Sequence, residues 1–155
     1  MSRQVEQYLF HRGEYRQAYE YLGAHPTRNS TIFRIWAPAA KSVAVVGDFN
    51  DWTAREEDYC RKLNNVGLWE VEIKKVKKGF LYKYQIETSW GEKILKSDPY
   101  AFYSELRPHT ASIVNGIPKF RWGDKKWLNN REIGYAKPIN IYEIHLGSWK
   151  KKEDG

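Results

Sequence analysis

After Pro26, hydrophobic and polar residues alternate in short runs that are separated by turn residues. Such alternation puts successive side chains on opposite faces, so it is typical of strands buried on one face. It predicts strands over residues 31–37, 42–47, 68–73, 80–88, 93–96 and 111–114. About six strands at this spacing indicate an all-β, immunoglobulin-like antiparallel sandwich. In the fourth run, Tyr82 and Tyr84 face the core and Lys83 faces outward.

Two other segments have different periodicities. Before the sandwich, apolar side chains recur at i, i+3, i+4 and i+7 from Tyr15 to Leu22, and Gly23 follows where a helix C-cap belongs. This pattern predicts a short amphipathic helix over residues 13–22. Near the other end, residues 139–146 are almost continuously apolar, as in a strand buried on both faces of a parallel sheet.

The apolar strand over 139–146 has no partner strands in the sequence, so we expect the chain to have been cut from a longer one. Without partners, it should be disordered, pair with a neighbouring chain or lie on the sandwich. The expected division is a helical segment (1–27), a sandwich (28–117), a linker (118–137) and the start of a further, truncated domain (138–155). Two aromatic anchors, Trp122 and Trp127, are expected to hold the linker down.

Composition narrows the class of protein. The net charge is +7, and 7 Trp, 11 Tyr and 6 Phe suit a partner with flat rings, either nucleobases or sugars. No apolar run is long enough to span a bilayer and the N-terminus lacks a signal pattern, so we expect a cytoplasmic protein without a membrane role. The single Cys60 cannot form an internal disulfide.

The clearest candidate for a binding site is a set of two indoles and an ammonium. Trp52 is presented by a polar turn after the second strand, Lys83 lies on an outer face, and Trp90 follows the same strand as Lys83. Indoles cover the apolar faces of sugar rings, and a lysine donates to hydroxyls. Two alternatives remain: Trp52 caps the edge of the sandwich, or the patch stacks nucleobases.

The sequence does not indicate a catalytic site or a metal-binding site. The four histidines lie in separate segments without metal-ligand spacing, and no carboxylate pair can be assigned acid and nucleophile roles. Cys60 lacks a catalytic neighbourhood and should be inert. We therefore expect no cofactor, no metal and no catalytic residue in this chain.

The order of several motifs resembles the N-terminal domain of bacterial 1,4-α-glucan branching enzymes, which belongs to the family 48 carbohydrate-binding modules (isoamylase N-terminal domain). The matching segments are Phe33-Arg34-Ile35-Trp36-Ala37-Pro38, Val46-Gly47-Asp48-Phe49-Asn50-Asp51-Trp52, Gly67-Leu68-Trp69-Glu70, Tyr82-Lys83-Tyr84, Lys96-Ser97-Asp98-Pro99-Tyr100-Ala101 and Thr110-Ala111-Ser112. The run Ile141-Tyr142-Glu143-Ile144-His145-Leu146-Gly147-Ser148-Trp149 looks like the first barrel strand of the same enzymes, which implies that residues 138–155 are the start of a truncated catalytic barrel.

This resemblance implies a ligand and a site. The ligand would be an α-1,4-glucan such as glycogen, amylose or a maltooligosaccharide. Trp52, Lys83 and Trp90 would bind it, with Asn50 and Thr110 as further polar contacts. It also implies a parent enzyme of glycoside hydrolase family 13, which forms α-1,6 branches in glycogen biosynthesis. Its catalytic Asp and Glu would lie beyond Gly155, so this chain should bind and not catalyse.

Three functions remain open after the sequence. The chain is a non-catalytic glucan-binding module, a structural spacer that packs on the missing catalytic barrel, or, least favoured, a nucleic-acid binder. Loss of polymer affinity on removal of Trp52 would separate the first from the second. A steep dependence of binding on salt would favour the third, because phosphate contacts release counterions.

Overall fold

The computed structural model describes residues 3–117, 121–131, 138 and 140–150. Its regular elements are α1 (Arg3–His11), β1 (Gly23–Pro26), β2 (Ser30–Trp36), β3 (Ser42–Gly47), β4 (Arg61–Lys62), β5 (Leu68–Lys74), β6 (Leu81–Glu87), β7 (Lys93–Lys96), β8 (Ser112–Ile113), α2 (Lys125–Asn130) and α3 (Leu146–Trp149). The chain divides into two units, Met1–Pro118 and Lys119–Gly155. No helix among the described residues is long and apolar enough to cross a bilayer.

The strands form two antiparallel sheets. Sheet I has the order β1-β2-β5-β4, and sheet II places β6 between β3 on one side and β7 with β8 on the other. The six predicted strands are all present. The short strands β1 and β4 are additional, and each lies at an edge of sheet I.

The core lies between the two sheets, as the period-two pattern predicts. Phe33 of sheet I meets Tyr82 of sheet II edge to face, with ring centroids 5.0 Å apart. Both side chains are completely buried. The neighbouring inward positions of both sheets hold buried Val, Ile, Tyr and Trp side chains. An all-β sandwich is therefore the fold of the first unit.

A buried polar cluster lies inside this core. Asp98 is 6% exposed, and its Oδ2 accepts a hydrogen bond of 2.6 Å from the Tyr82 hydroxyl. Its Oδ1 accepts from the Tyr100 backbone N–H, and the Asp98 N–H donates to Ser112 Oγ. Burial raises the pKa of Asp98 above its ordinary value, although the hydrogen bonds from Tyr82 and from the Tyr100 N–H oppose the shift.

A second, smaller apolar cluster covers part of the outer face of sheet I. Its buried members are Tyr21, Leu22 and Leu68, and Phe10 of α1 packs against them. Phe10 also meets the indole of Trp36 edge to face at 5.9 Å. The N-terminal segment therefore packs on the face of sheet I that points away from sheet II.

The helix predicted over residues 13–22 is wrong. The helix is α1, which ends at His11, and the only regular element between residues 13 and 22 is a 3-10 turn at Ala18–Glu20. Gly13 has φ +71°, a left-handed conformation that ends a helix. The apolar side chains of Tyr21 and Leu22 are buried against sheet I instead of forming a helical stripe.

A row of ionic groups crosses the outer face of sheet I. Arg34, Glu70 and Arg61 are paired across β2, β5 and β4, and both guanidinium groups lie 2.6 Å from the Glu70 carboxylate. The Arg34 guanidinium also lies 4.7 Å from the centre of the Tyr21 ring. The register of three strands thus brings together charges that are far apart in sequence.

Cys60 is buried next to β3. Its backbone N–H donates to the Val43 carbonyl, and its side chain belongs to the core between the sheets. Burial raises the pKa of the Cys60 thiol far above its ordinary value. The thiol is therefore held in its neutral form.

The second unit differs from the sequence prediction. Residues 140–145 form no strand, and Leu146–Trp149 is a short helix; Ile139, the first residue of the expected strand, lies outside the described residues. Ile141 and Leu146 are 87% and 83% exposed. A strand needs a neighbour for its backbone hydrogen bonds, and the described part of the chain supplies none here.

The expected aromatic anchors of residues 118–137 are also exposed. The side chains of Trp122 and Trp127 are 75% and 65% accessible, so neither is buried as an anchor would be. Trp127 follows the start of helix α2 and lies 5.8 Å from the Arg131 guanidinium. Residues 118–120 and 132–137 of this segment lie outside the described residues.

Candidate functional site

The turn that carries Trp52 begins at Gly47, the last residue of β3. A Cβ atom at Gly47 would lie 2.1 Å from the Leu81 carbonyl oxygen, so only glycine fits here. The Asp48 carboxylate accepts a hydrogen bond from the Leu81 N–H at 2.8 Å. The start of the turn is thereby fixed to the first residue of β6.

Asn50 holds the turn from inside. It is 2% exposed, its Oδ1 accepts from the Gly47 N–H, and its Nδ2 donates to the Val45 carbonyl and to Asp58 Oδ2. Asp58 Oδ2 also accepts from the Arg55 N–H at 2.9 Å. The expected sugar contact by Asn50 is therefore corrected: its side chain is buried and its polar atoms already have partners within the loop.

The backbone at Trp52 has an uncommon conformation. Asp51 and Trp52 have φ values of +52° and +59°, a left-handed region that few residues other than glycine adopt. The Trp52 N–H donates to the Gly47 carbonyl, which closes the turn. Trp52 is 38% exposed, so part of the residue is accessible to a ligand. Strain of this kind is found at binding and active sites, where the surrounding structure fixes it.

Lys83 and Thr110 come together on the outer face of sheet II. Lys83 lies on β6 opposite Val46, and its Nζ donates to Thr110 Oγ1 at 2.8 Å. No carboxylate among the described residues forms an ion pair with Lys83. The ammonium group therefore keeps hydrogen atoms for a ligand, as does the exposed Thr110 hydroxyl.

Trp90 lies at the other end of β6. It belongs to the turn between β6 and β7, which the Gly91 N–H closes by donating to the Thr88 carbonyl. Its side chain is 83% exposed. The antiparallel register places the Trp52 turn near Tyr82 and the Trp90 turn just beyond Glu87. From Lys83 to Glu87 is roughly 13 Å along the strand, so the two indoles lie at opposite ends of β6.

The sequence patterns do not identify two residues that support the Trp52 turn. Asp48 and Asp58 fix both ends of the Trp52 turn through backbone hydrogen bonds, yet neither was singled out. A signal was available for Asp48, because an acidic residue directly after a strand often accepts from neighbouring backbone N–H groups. Among the residues that the structure describes, no group of three or more His, Cys, Asp or Glu could hold a metal ion.

Residues 21–101 match the family of carbohydrate-binding module 48, the isoamylase N-terminal domain. The matched segment is more than half of the chain and contains the Trp52 turn, Lys83 and Trp90. The chain belongs to this family. Its resemblance to the N-terminal region of bacterial branching enzymes is confirmed as well.

Relatives that share about half or more of their residues with this chain are named as branching enzymes. The module is 88% identical to part of 1,4-alpha-glucan branching enzyme GlgB of Fusobacterium nucleatum, over 100% of this chain and 25% of that enzyme. It is 48% identical to GlgB of Geobacillus stearothermophilus, over 97% of this chain and 24% of the enzyme. The module thus spans about a quarter of the length of these relatives.

Solved structures with a similar fold include pullulanases and a putative alpha amylase. A pullulanase of Paenibacillus barengoltzii, in complex with maltohexaose and alpha-cyclodextrin, superposes with a TM-score of 0.50 and 25% identity, over 61% of this chain and 14% of that one. A putative alpha amylase of Salmonella typhimurium gives a TM-score of 0.52 at 19% identity, over 68% of this chain and 16% of that one. The second similarity concerns the fold alone.

Proposed function

We propose that the module binds α-1,4-glucan without catalysing a reaction on it, as part of a glycogen branching enzyme. The observation that carries the proposal is that the partly exposed Trp52 and the Lys83–Thr110 pair lie at the same end of β6 in a member of a carbohydrate-binding family. Glycogen, amylose and maltooligosaccharides share the repeating unit that such a site would bind.

Each proposed contact has a chemical role. The Trp52 indole stacks on the apolar face of a glucose ring, and Lys83 donates hydrogen bonds to hydroxyl groups. Thr110 both donates and accepts, and its bond to Lys83 limits the rotamers of the lysine. The turn fixes the backbone of Trp52 before the ligand arrives, so little backbone entropy is lost on binding.

An open site of this kind binds short ligands weakly. We expect a Kd near 1 mM for short maltooligosaccharides, which corresponds to about 4 kcal/mol, and tighter binding of polymers through repeated contacts. In the parent, the module would keep the polymer near a (β/α)8 barrel that cuts α-1,4 links and forms α-1,6 branches. The catalytic residues would belong to that barrel and not to this chain.

Replacement of Trp52 tests the proposal. In Trp52→Ala, we expect affinity for maltoheptaose to fall at least tenfold, because the stacking surface is removed. Alanine and tryptophan both carry a Cβ atom, so the left-handed backbone at position 52 is strained to a similar degree in the variant. Titration followed by NMR gives the affinity and also reports whether the fold is intact.

Trp127→Ala is the matched control, since Trp127 is an exposed tryptophan of the second unit. It should bind maltoheptaose like the unmodified chain. Unchanged affinity in Trp52→Ala would contradict the proposal, and if stability fell at the same time, the spacer function would be favoured.

A further inference from the structure

We infer that Gln85 and Leu95 form a middle subsite between the Lys83–Thr110 pair and Trp90, so that the module binds a run of consecutive glucose rings. This inference rests on the proposed function and specifies the ligand of the same face. It assigns a binding role to two residues on β6 and β7 that neither the motifs nor the resemblance had marked.

The strand register puts these residues in one row of the outer face. Gln85 of β6 is flanked by Ala44 of β3 and by Leu95 of β7. Along β6, the preceding outward-facing position is Lys83, which pairs with Val46, and the following one is Glu87. Lys83, Gln85 and Glu87 therefore follow one another on the same face at intervals of roughly 7 Å.

The β3 side of this face is closed and the β7 side is open. Ala44 and Val46 point to the outer face and are nevertheless completely buried. Leu95, on the opposite side of β6, is 51% exposed. A ligand that leaves Lys83 in the direction of Trp90 would therefore pass over β6 and β7.

Gln85 differs from its two neighbours on β6 in its hydrogen bonds. Lys83 donates to Thr110, and the Glu87 carboxylate pairs with Lys41 and accepts from Ser42. The amide of Gln85 has no hydrogen bond to any residue in the described part of the chain. An amide offers two donors and an acceptor, which matches a sugar ring with several hydroxyl groups.

Leu95 supplies the apolar half of the subsite. A glucose ring has an apolar face and a rim of hydroxyl groups, so an exposed leucine beside an unpaired amide complements both. The residues from Lys83 to the Trp90 turn cover roughly 13 Å, which exceeds the length of a single ring. The face thus suits a linear run of rings with contacts at both ends and in the middle.

The test compares two ligand lengths on full-length variants. We expect Leu95→Ser to bind maltoheptaose about fivefold more weakly, because partly exposed apolar surface is lost from the contact. Gln85→Ala should behave in the same way. Maltotriose, which is too short to reach from Trp52 to Trp90, should lose less affinity in both variants.

The matched control is Val66→Ser, because Val66 is also 51% exposed but lies on the loop before β5 of sheet I. It should leave both affinities unchanged. If the unmodified chain binds maltoheptaose and Leu95→Ser and Gln85→Ala bind it equally well, the middle subsite is refuted and the proposed function stands. An equal loss for both lengths also refutes it. If the unmodified chain binds neither ligand, the proposed function itself fails.

Discussion

Asn50 and Trp52 are two residues apart, yet they have opposite relations to solvent. The resemblance places both in the binding site, and only Trp52 is accessible. A turn sequence does not reveal which polar side chain points inward, because this depends on partners elsewhere in the fold. Here the partner is Asp58, whose carboxylate accepts from Asn50 at 2.7 Å. The sequence thus identifies the turn, whereas the role of each residue within it depends on tertiary contacts.

The buried carboxyl of Asp98 should make the stability of the protein depend on pH. Because burial raises its pKa, the folded protein binds the proton of Asp98 more tightly than the unfolded chain does. The contribution of Asp98 to stability is therefore fully present below the unfolded carboxyl pKa, about 3.9, and is lost as pH rises through the raised folded pKa.

Asp98→Asn removes this titration. We expect the free energy of unfolding of the unmodified chain, relative to that of Asp98→Asn, to decrease as pH rises from about 4 to about 7. Urea unfolding followed by tryptophan fluorescence at several pH values measures the difference. Asp51→Asn is the control, because the Asp51 side chain is 92% exposed. A pH-independent difference for Asp98→Asn would show that the buried carboxyl does not titrate as argued.

At the scale of elements, period-two patterning predicts the long strands well. The segments that became β2, β5 and β6 were predicted because their core faces alternate with outer faces over seven residues. The strands β1 and β4 were missed. Their sequences, Gly-Ala-His-Pro and Arg-Lys, show no alternation of apolar and polar side chains, and the two strands exist because the edges of sheet I offer backbone partners.

The helical pattern at Tyr15–Leu22 failed for a related reason. Its spacing fits a helix, but Tyr21 and Leu22 gain more by packing on sheet I as the chain enters β1. Periodicity records which side chains are apolar and not which surface they cover. The true helix, α1, has Val5, Tyr8 and Leu9 at i, i+3 and i+4, and it is held by contacts such as that between Phe10 and Trp36.

The Trp52 turn depends on the absence of a side chain at Gly47. In Gly47→Ala, the new Cβ would lie 2.1 Å from the Leu81 carbonyl oxygen, so the β3–β6 pairing has to shift. We expect a loss of about 2 kcal/mol or more in the free energy of unfolding, together with weaker maltoheptaose binding. Thermal unfolding and NMR titration give both quantities.

Gly123→Ala is the corresponding control, since a Cβ at Gly123 would meet nothing within 4 Å. Its stability and affinity should match those of the unmodified chain. If Gly47→Ala retained full stability, the close approach of β3 to Leu81 would not determine the turn.

At the scale of the whole molecule, the net charge of +7 suits a negatively charged partner, whereas the proposed ligand is neutral. Glucan is neutral, so its binding should hardly respond to ionic strength, whereas binding to a polyanion weakens steeply with salt. We expect the maltoheptaose Kd to change less than about twofold between 50 mM and 500 mM salt. Calorimetric titration at both concentrations provides the measurement. A tenfold change would contradict binding of the neutral ligand by stacking and hydrogen bonds alone.

The single buried thiol, Cys60, can report local opening of the sandwich. Cys60 is shielded in the core, and its pKa is raised by burial, so a thiol reagent reacts with it only after the region around β3 opens. The rate at which the reagent labels Cys60 would therefore measure how often this region opens, and no further cysteine has to be introduced. Because the Trp52 turn follows β3 directly, slower labelling in the presence of a ligand would register occupancy of the site through a residue that the ligand does not touch.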